Sequence, residues 1–262
     1  MSLPLAIFTI CLDGWPFLPI QLATFNRLKL DWRWIVAEGA AANTNSTAWC
    51  QPQTPRLSMD GSTAFLCSLA GHPRVTVLQR QWWSGGKDEM CNAALAQILQ
   101  PCVLLEVDAD ELWTAQQIEG IHALLSTGQF DCARFDNFYY LGPNIVIGNL
   151  DAWWARQGYM MRAWRFMPGM RFLSHEPPVL QGVNGPGERC AANAETRRRG
   201  LVLEHWSLVF RSQVEFKQAF YGYPGLVDRW ERLQHHPGPW PYSLKGWPPW
   251  QPEHYAEQKW KP

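Results

Sequence analysis

Three carboxylates follow one short apolar run. Cys102 to Val107 reads as a buried strand, and Asp108, Asp110 and Glu111 come directly after it. Clustered carboxylates repel one another unless a cation or solvent offsets their charge. Asp108 and Asp110 are two residues apart, so in extended chain both side chains face one site. Mg²⁺ is commonly held by one or two carboxylates together with substrate phosphates. A divalent ion here could bridge a diphosphate and stabilise it as a leaving group. The same spacing also suits a solvated acidic turn ahead of the next helix, and Asp-x-Asp alone does not separate the two readings.

Other residues share this placement. Asp13 closes the apolar run 5–12, and Glu38 closes the run Trp34 to Ala37. In open α/β sheets, ligands bind beyond the carboxyl ends of the strands. Trp82-Trp83-Ser84-Gly85-Gly86-Lys87 leads into a helix expected over 88–99, and a lysine at a helix start suits a phosphate. Glu176, preceded by His175 and followed by Pro177 and Pro178, is a candidate general base on a stiffened loop. Asp136 is the other candidate. His205 follows Leu201-Val202-Leu203, which reads as a strand carrying it inward. His175 and His205 also fit ordinary hydrogen-bonded histidines.

These residues need a scaffold of alternating elements. Strands are expected at 5–12, 34–37, 75–78 and 102–107. Helices are expected at 17–28, from Asp60-Gly61-Ser62-Thr63 onward, at 88–99 and at 114–125, with residues 40–58 as a loop. Thr114 and Gln117 stand in capping-box positions. The alternation predicts an α/β fold with a mostly parallel, doubly wound sheet. From residue 131 on, aromatic stretches such as 135–141 and 160–166 look sheet-like or irregular. A helix is expected at 211–222 with Ser212 as its cap, and the Pro- and Trp-rich end from His235 reads as an extended cover.

Composition narrows the function classes. With 23 basic and 23 acidic residues in a chain of 262, there is no electrostatic footprint for nucleic acid. No run approaches the ~18–20 apolar residues that span a bilayer, so no membrane span is expected. The seven cysteines show no CxxC pair, which disfavours zinc and points to free thiols in a reducing, cytoplasmic setting. The 16 tryptophans suit core packing and stacking on sugar rings.

The segment from Ser84-Gly85-Gly86-Lys87-Asp88-Glu89-Met90-Cys91-Asn92 through Val107-Asp108-Ala109-Asp110-Glu111-Leu112-Trp113 resembles the family 2-like glycosyltransferases of GT-A fold. The resemblance extends back through Ile35-Val36-Ala37-Glu38-Gly39 and Asp60-Gly61-Ser62-Thr63, covering roughly residues 5–125. It implies a GT-A fold, a Rossmann-like, mostly parallel mixed sheet flanked by helices, with an aromatic-rich acceptor region. It also implies a nucleotide-diphosphate sugar donor, Mn²⁺ or Mg²⁺ as cofactor, a glycan or other hydroxyl acceptor, and inverting transfer. Residues 1–130 would bind the donor, and 131–262 would bind the acceptor and cover the site within the same compact domain. By the same resemblance Asp108 and Asp110 match the metal and diphosphate motif, and His205 the late histidine that returns to it. Asp13, Glu38, Asp60, Lys87 and Asp108 would contact the donor, while the downstream acidic pair that usually marks the base of inverting members is not evident, and Glu176 and Asp136 stand as the candidates for it. Glu38 departs from the family pattern, being followed by Gly39 and alanines rather than a second acid and Ser or Thr. A non-catalytic carbohydrate-binding protein is the alternative. A metal-dependent phosphoesterase would need a denser set of His and Asp ligands.

Overall fold

The computed structural model describes residues 3–148, 160–182, 189–247 and 254–259. Its first half runs β1 (Leu5–Cys11), α1 (Phe17–Phe25), β2 (Trp32–Ala41), α2 (Ser62–Ser68), β3 (Val75–Trp83), α3 (Gly86–Leu95), β4 (Cys102–Glu106), β5 (Glu111–Leu112) and α4 (Ala115–Ser126). The second half supplies β6 (Cys132–Arg134), β7 (Asp136–Gly142), β8 (Ile145–Ile147), β9 (Met161–Phe166), β10 (Phe172–His175), β11 (Pro178–Leu180), β12 (Cys190–Ala191) and α5 (Asn193–Arg198). It continues with β13 (Val202–His205), α6 (Arg211–Tyr221), α7 (Leu226–Gln234), β14 (Tyr242–Ser243) and β15 (Tyr255–Gln258).

The main sheet has seven strands in the order β12-β6-β9-β4-β1-β2-β3. β1 lies parallel to both β2 and β4, with Leu5 opposite Trp32 and Val103, and β2 lies parallel to β3. β1 and β4 are apolar on both faces because helices and loops cover both sides, as parallel central strands require. β9 alone runs antiparallel, wedged between β4 and β6. The architecture is mixed α/β with a parallel-rich sheet flanked by helices. A second sheet, β14-β15-β8-β7-β13-β5, packs its own apolar cluster of Leu141, Ile147, Leu208, Val214 and Leu226.

Several boundaries differ from those expected. β2 runs on to Ala41, so Glu38 lies inside the strand rather than at its end. The register with β3 slips between Glu38 and Ala40, a bulge centred on Gly39. Gly39 has φ 134°, and a Cβ there would fall on the Arg80 carbonyl oxygen. Gly39→Ala should therefore cost roughly 3 kcal/mol or more, combining backbone strain with a clash against main chain. Urea unfolding of the variant would read this, and a loss below ~1 kcal/mol would mean that the bulge relaxes freely.

Thr114 and Gln117 do form the capping box. The Gln117 N–H donates to Thr114 Oγ1 at 3.2 Å, and the Thr114 N–H donates to Gln117 Oε1 at 2.9 Å. Ser212 is not the cap of α6. The helix starts one residue earlier, and the extended Phe210 donates its N–H to Gln213 Oε1 at 2.9 Å. α3 starts at Gly86 and ends at Leu95, well before Pro101. All seven cysteines are free; Cys67 is exposed and Cys190 half-buried. Among the described residues no helix is long and apolar enough to cross a membrane.

Candidate active site

The acidic segment is the crossing between the two sheets. β4 ends at Glu106, residues 107–110 turn, and β5 begins the next strand in the second sheet. The Glu111 N–H closes the turn on the Asp108 carbonyl at 3.0 Å. From α1, the buried Gln21 amide donates to the carbonyls of Asp108 (2.8 Å) and Glu111 (2.9 Å). The loop after β1 approaches so closely that a Cβ on Gly14 would meet Ala109 Cβ at 3.0 Å. β13 pairs with β5 and sets His205 opposite Glu111, while the Trp206 N–H donates to the Asp110 carbonyl at 2.8 Å. Strand pairing thus brings His205 to the acids across more than ninety residues of sequence.

Asp108 and Glu111 share one cation, and Asp110 meets another. Arg162, on β9, is only 4% exposed; its Nη2 lies 3.0 Å from Asp108 Oδ2 and 2.8 Å from Oε1 of the fully buried Glu111. Burial opposes the charge on Arg162, but Glu111 and Asp108 outweigh it and hold the guanidinium well above its usual range. Burial likewise opposes ionisation of Asp108, yet Arg162 and His175 keep its carboxyl well below the ordinary value. Asp110 accepts from Lys217 Nζ at 2.9 Å, and His205 Nε2 lies 3.3 Å from its other oxygen. Lys217, then His205, overcome burial and depress Asp110 as well.

Glu106, Asp108 and His175 offer ligand atoms that all lie within 4.8 Å of one another. Glu106 is 1% exposed, and neither carboxylate oxygen receives an aligned hydrogen bond. His175 Nε2 sits 3.0 Å from Glu106 Oε1 and 3.7 Å from Asp108 Oδ1. A buried carboxylate with no aligned hydrogen bond, beside a second carboxylate and an imidazole, is an oxygen and nitrogen donor set that suits Mn²⁺ or Mg²⁺.

Glu176 stands at the turn between β10 and β11 and pairs with Lys87 from the first turn of α3. Burial pushes Glu176 up, but Lys87 and then His175 draw it down to about 2. Asp13 accepts from Arg56 and from the Met59 N–H at 2.8 Å, and Asp60 accepts the Trp15 N–H at 2.7 Å. A cavity of about 940 Å³ opens over this cluster, with Glu106 and Glu111 buried behind its wall. That volume is at the upper end of ordinary ligand sites. Asp13, Asp60, Lys87, Asp108, Asp110, Glu176 and His205 line it.

Two expected residues do not line this cavity. Glu38 is fully buried and accepts from Ser58 N (3.2 Å), Thr63 Oγ1 (2.5 Å) and Gln79 Nε2 (2.7 Å). It anchors the 58–63 loop that carries Asp60. Asp136 is buried in β7 and bonded to Asn193 at 2.9 Å and to Arg197. Glu106, Arg162 and Lys217 escaped the sequence reading. Glu106 carries the one available signal, since Glu106, Asp108 and Asp110 share two-residue spacing. Arg162 and Lys217 reach the acids only through tertiary contacts and leave no local trace.

No family model matches the sequence, and no curated protein matches it. Among solved structures, it is similar to the mannosyltransferase PcManGT of Pyrobaculum calidifontis, crystallised with GDP-Man and Mn²⁺. The TM-score is 0.50 at 11% identity, covering 79% of this chain and 58% of that one. It is also similar to residues 1–349 of TarS from S. aureus, at TM-score 0.42 and 12% identity over 62% of this chain and 47% of that one. A structure of the same TarS fragment holds UDP-GlcNAc. The matches span less than two thirds of each of those chains. The mixed α/β fold described above is shared with the mannosyltransferase structure.

Proposed function

We propose that the chain is a metal-dependent glycosyltransferase that moves a sugar from a nucleotide-diphosphate donor to a hydroxyl of a glycan or other acceptor. One observation carries this reading. At the carboxyl ends of β1 and β4, a cavity of donor size collects Asp108 and Asp110 with Lys87, Arg162, Lys217, His175 and His205. Alternating acids and cations of this kind suit a metal-bridged diphosphate. The GDP-Man and Mn²⁺ held by the mannosyltransferase neighbour point the same way.

Glu106, Asp108 and His175 would hold Mn²⁺ or Mg²⁺, with Asp110 and His205 beside them. The bound cation would supply Lewis-acid stabilisation of the departing diphosphate. Lys87 would turn from Glu176 to the diphosphate oxygens. Released from its nearest cation, Glu176 would become more basic and take the acceptor hydroxyl proton. The acceptor oxygen then bonds to the anomeric carbon as the bond to the diphosphate oxygen breaks, inverting that centre. Asp13 and Asp60, on the loops after β1 and before α2, would contact the nucleoside, while Glu38 holds that loop from below. The free thiols favour a reducing compartment such as the cytoplasm.

Phosphorus NMR on nucleotide sugars incubated with the protein and Mn²⁺ tests this directly. Nucleoside diphosphate should accumulate with the wild type and not with Asp110→Ala. Undiminished release by that variant would remove the acidic turn from the reaction. A protein that only binds carbohydrate, the reading favoured by the aromatic walls, would release none.

A further inference from the structure

Trp49 is 54% exposed and lines the cavity. It belongs to the loop between β2 and α2, and it stacks on Tyr221 at the end of α6, with ring centroids 5.4 Å apart and planes 20° apart. Tyr221 stacks in turn on Tyr223 at 5.3 Å and 22°. Two hydrogen bonds fix this cluster. The Gln51 N–H donates to the Phe220 carbonyl at 2.7 Å, joining the loop to α6. The Trp49 indole N–H donates to the Ser46 carbonyl at 3.0 Å. Ser46 also receives the Glu176 N–H on its hydroxyl at 3.3 Å. Ser46 therefore ties the exposed indole to the main chain of Glu176, the residue assigned the acceptor proton.

We propose that Trp49, backed by Tyr221 and Tyr223, is a stacking platform for a pyranose ring of the acceptor, so that the acceptor is a saccharide. This rests on the glycosyltransferase reading and sharpens it. The C–H face of a pyranose is apolar and flat enough to lie on an indole, while its hydroxyls remain free for polar groups. A platform joined to Glu176 sets the acceptor sugar where its hydroxyl proton must leave. The nucleoside end of the cavity lies elsewhere, with Trp15 beside Asp60 and stacked edge-on against Phe65.

Saturation-transfer NMR on the full chain, with methyl glycosides of glucose, galactose, mannose and N-acetylglucosamine as probes, tests the platform. At least one glycoside should receive saturation at its ring C–H protons. Its affinity should fall ~10-fold in Trp49→Ala and largely persist in Trp49→Phe, the scale of one aromatic stacking contact. Binding of UDP or GDP with Mn²⁺ should be the same in Trp49→Ala as in the wild type. Because Trp49 is exposed, Trp49→Ala should unfold at the wild-type urea midpoint, which confirms that a lost contact is local. If no glycoside binds while a nucleoside diphosphate does, the platform is wrong and the transferase reading stands. If Trp49→Ala weakens the nucleoside diphosphate instead, the ring serves the donor base. If a glycoside binds and no nucleoside diphosphate does, the platform holds and the transferase reading fails.

Discussion

Asp108→Asn is expected to lower Mn²⁺-dependent release of nucleoside diphosphate by at least ~10³-fold, since a metal at a leaving diphosphate contributes several kcal/mol. The substitution keeps the shape of the side chain and removes its charge. Asp108 contributes to the Glu106, Asp108 and His175 donor set and faces the same cavity as Asp110 and Lys87. The fold should tolerate the change, because Arg162 keeps its Glu111 partner at 2.8 Å and Gln21 still clamps the turn through main-chain carbonyls. Circular dichroism and unfolding should therefore resemble the wild type while turnover collapses. Wild-type turnover in a folded Asp108→Asn protein would move the metal to other ligands.

Arg162→Met is expected to act in the opposite way, on stability first. Arg162 donates to both Glu111 oxygens and to Asp108, and Glu111 is fully buried. Removing the guanidinium leaves a buried carboxylate without its partner, which costs about 3–5 kcal/mol in comparable sites. The double variant Arg162→Met/Glu111→Leu removes both charges and should recover much of that loss, because desolvation of the pair largely cancels its attraction. A double-mutant cycle in urea reads the coupling. Additive single losses would mean that Glu111 and Arg162 are not an ion pair in solution.

The two variants separate what the sequence showed from what only the fold could show. Asp108, Asp110 and Lys87 were legible because they sit where buried strands end or helices begin, and that position is written in a few neighbouring residues. His205 was legible for the same reason, through the apolar residues before it. The main sheet was readable in its parallel half, where apolar runs alternate with helices. The second sheet was legible only in part: the stretch 135–141 and the run before His205 correspond to β7 and β13, whereas β5, β8 and β14 have only two or three residues, too short for a periodicity to register. Glu38 misled because a bulge at Gly39 lets its strand continue, and the acid turns to Ser58, Thr63 and Gln79 beneath the site. Arg162 and Lys217 have no local signature at all. Each meets an acid more than fifty residues away, so only strand and helix packing reveals it.

Calorimetric titration of UDP, GDP, ADP, CDP and TDP into the protein, with Mn²⁺ and again with a chelator, bears most directly on the diphosphate and metal site. One nucleoside diphosphate should bind with Mn²⁺ and lose at least ~10-fold in affinity without it, since a cation held by Glu106, Asp108 and His175 would offset the repulsion between these acids and the diphosphate. Equal affinity in the chelator, or binding of free glycan with none of the nucleotides, would contradict the assignment.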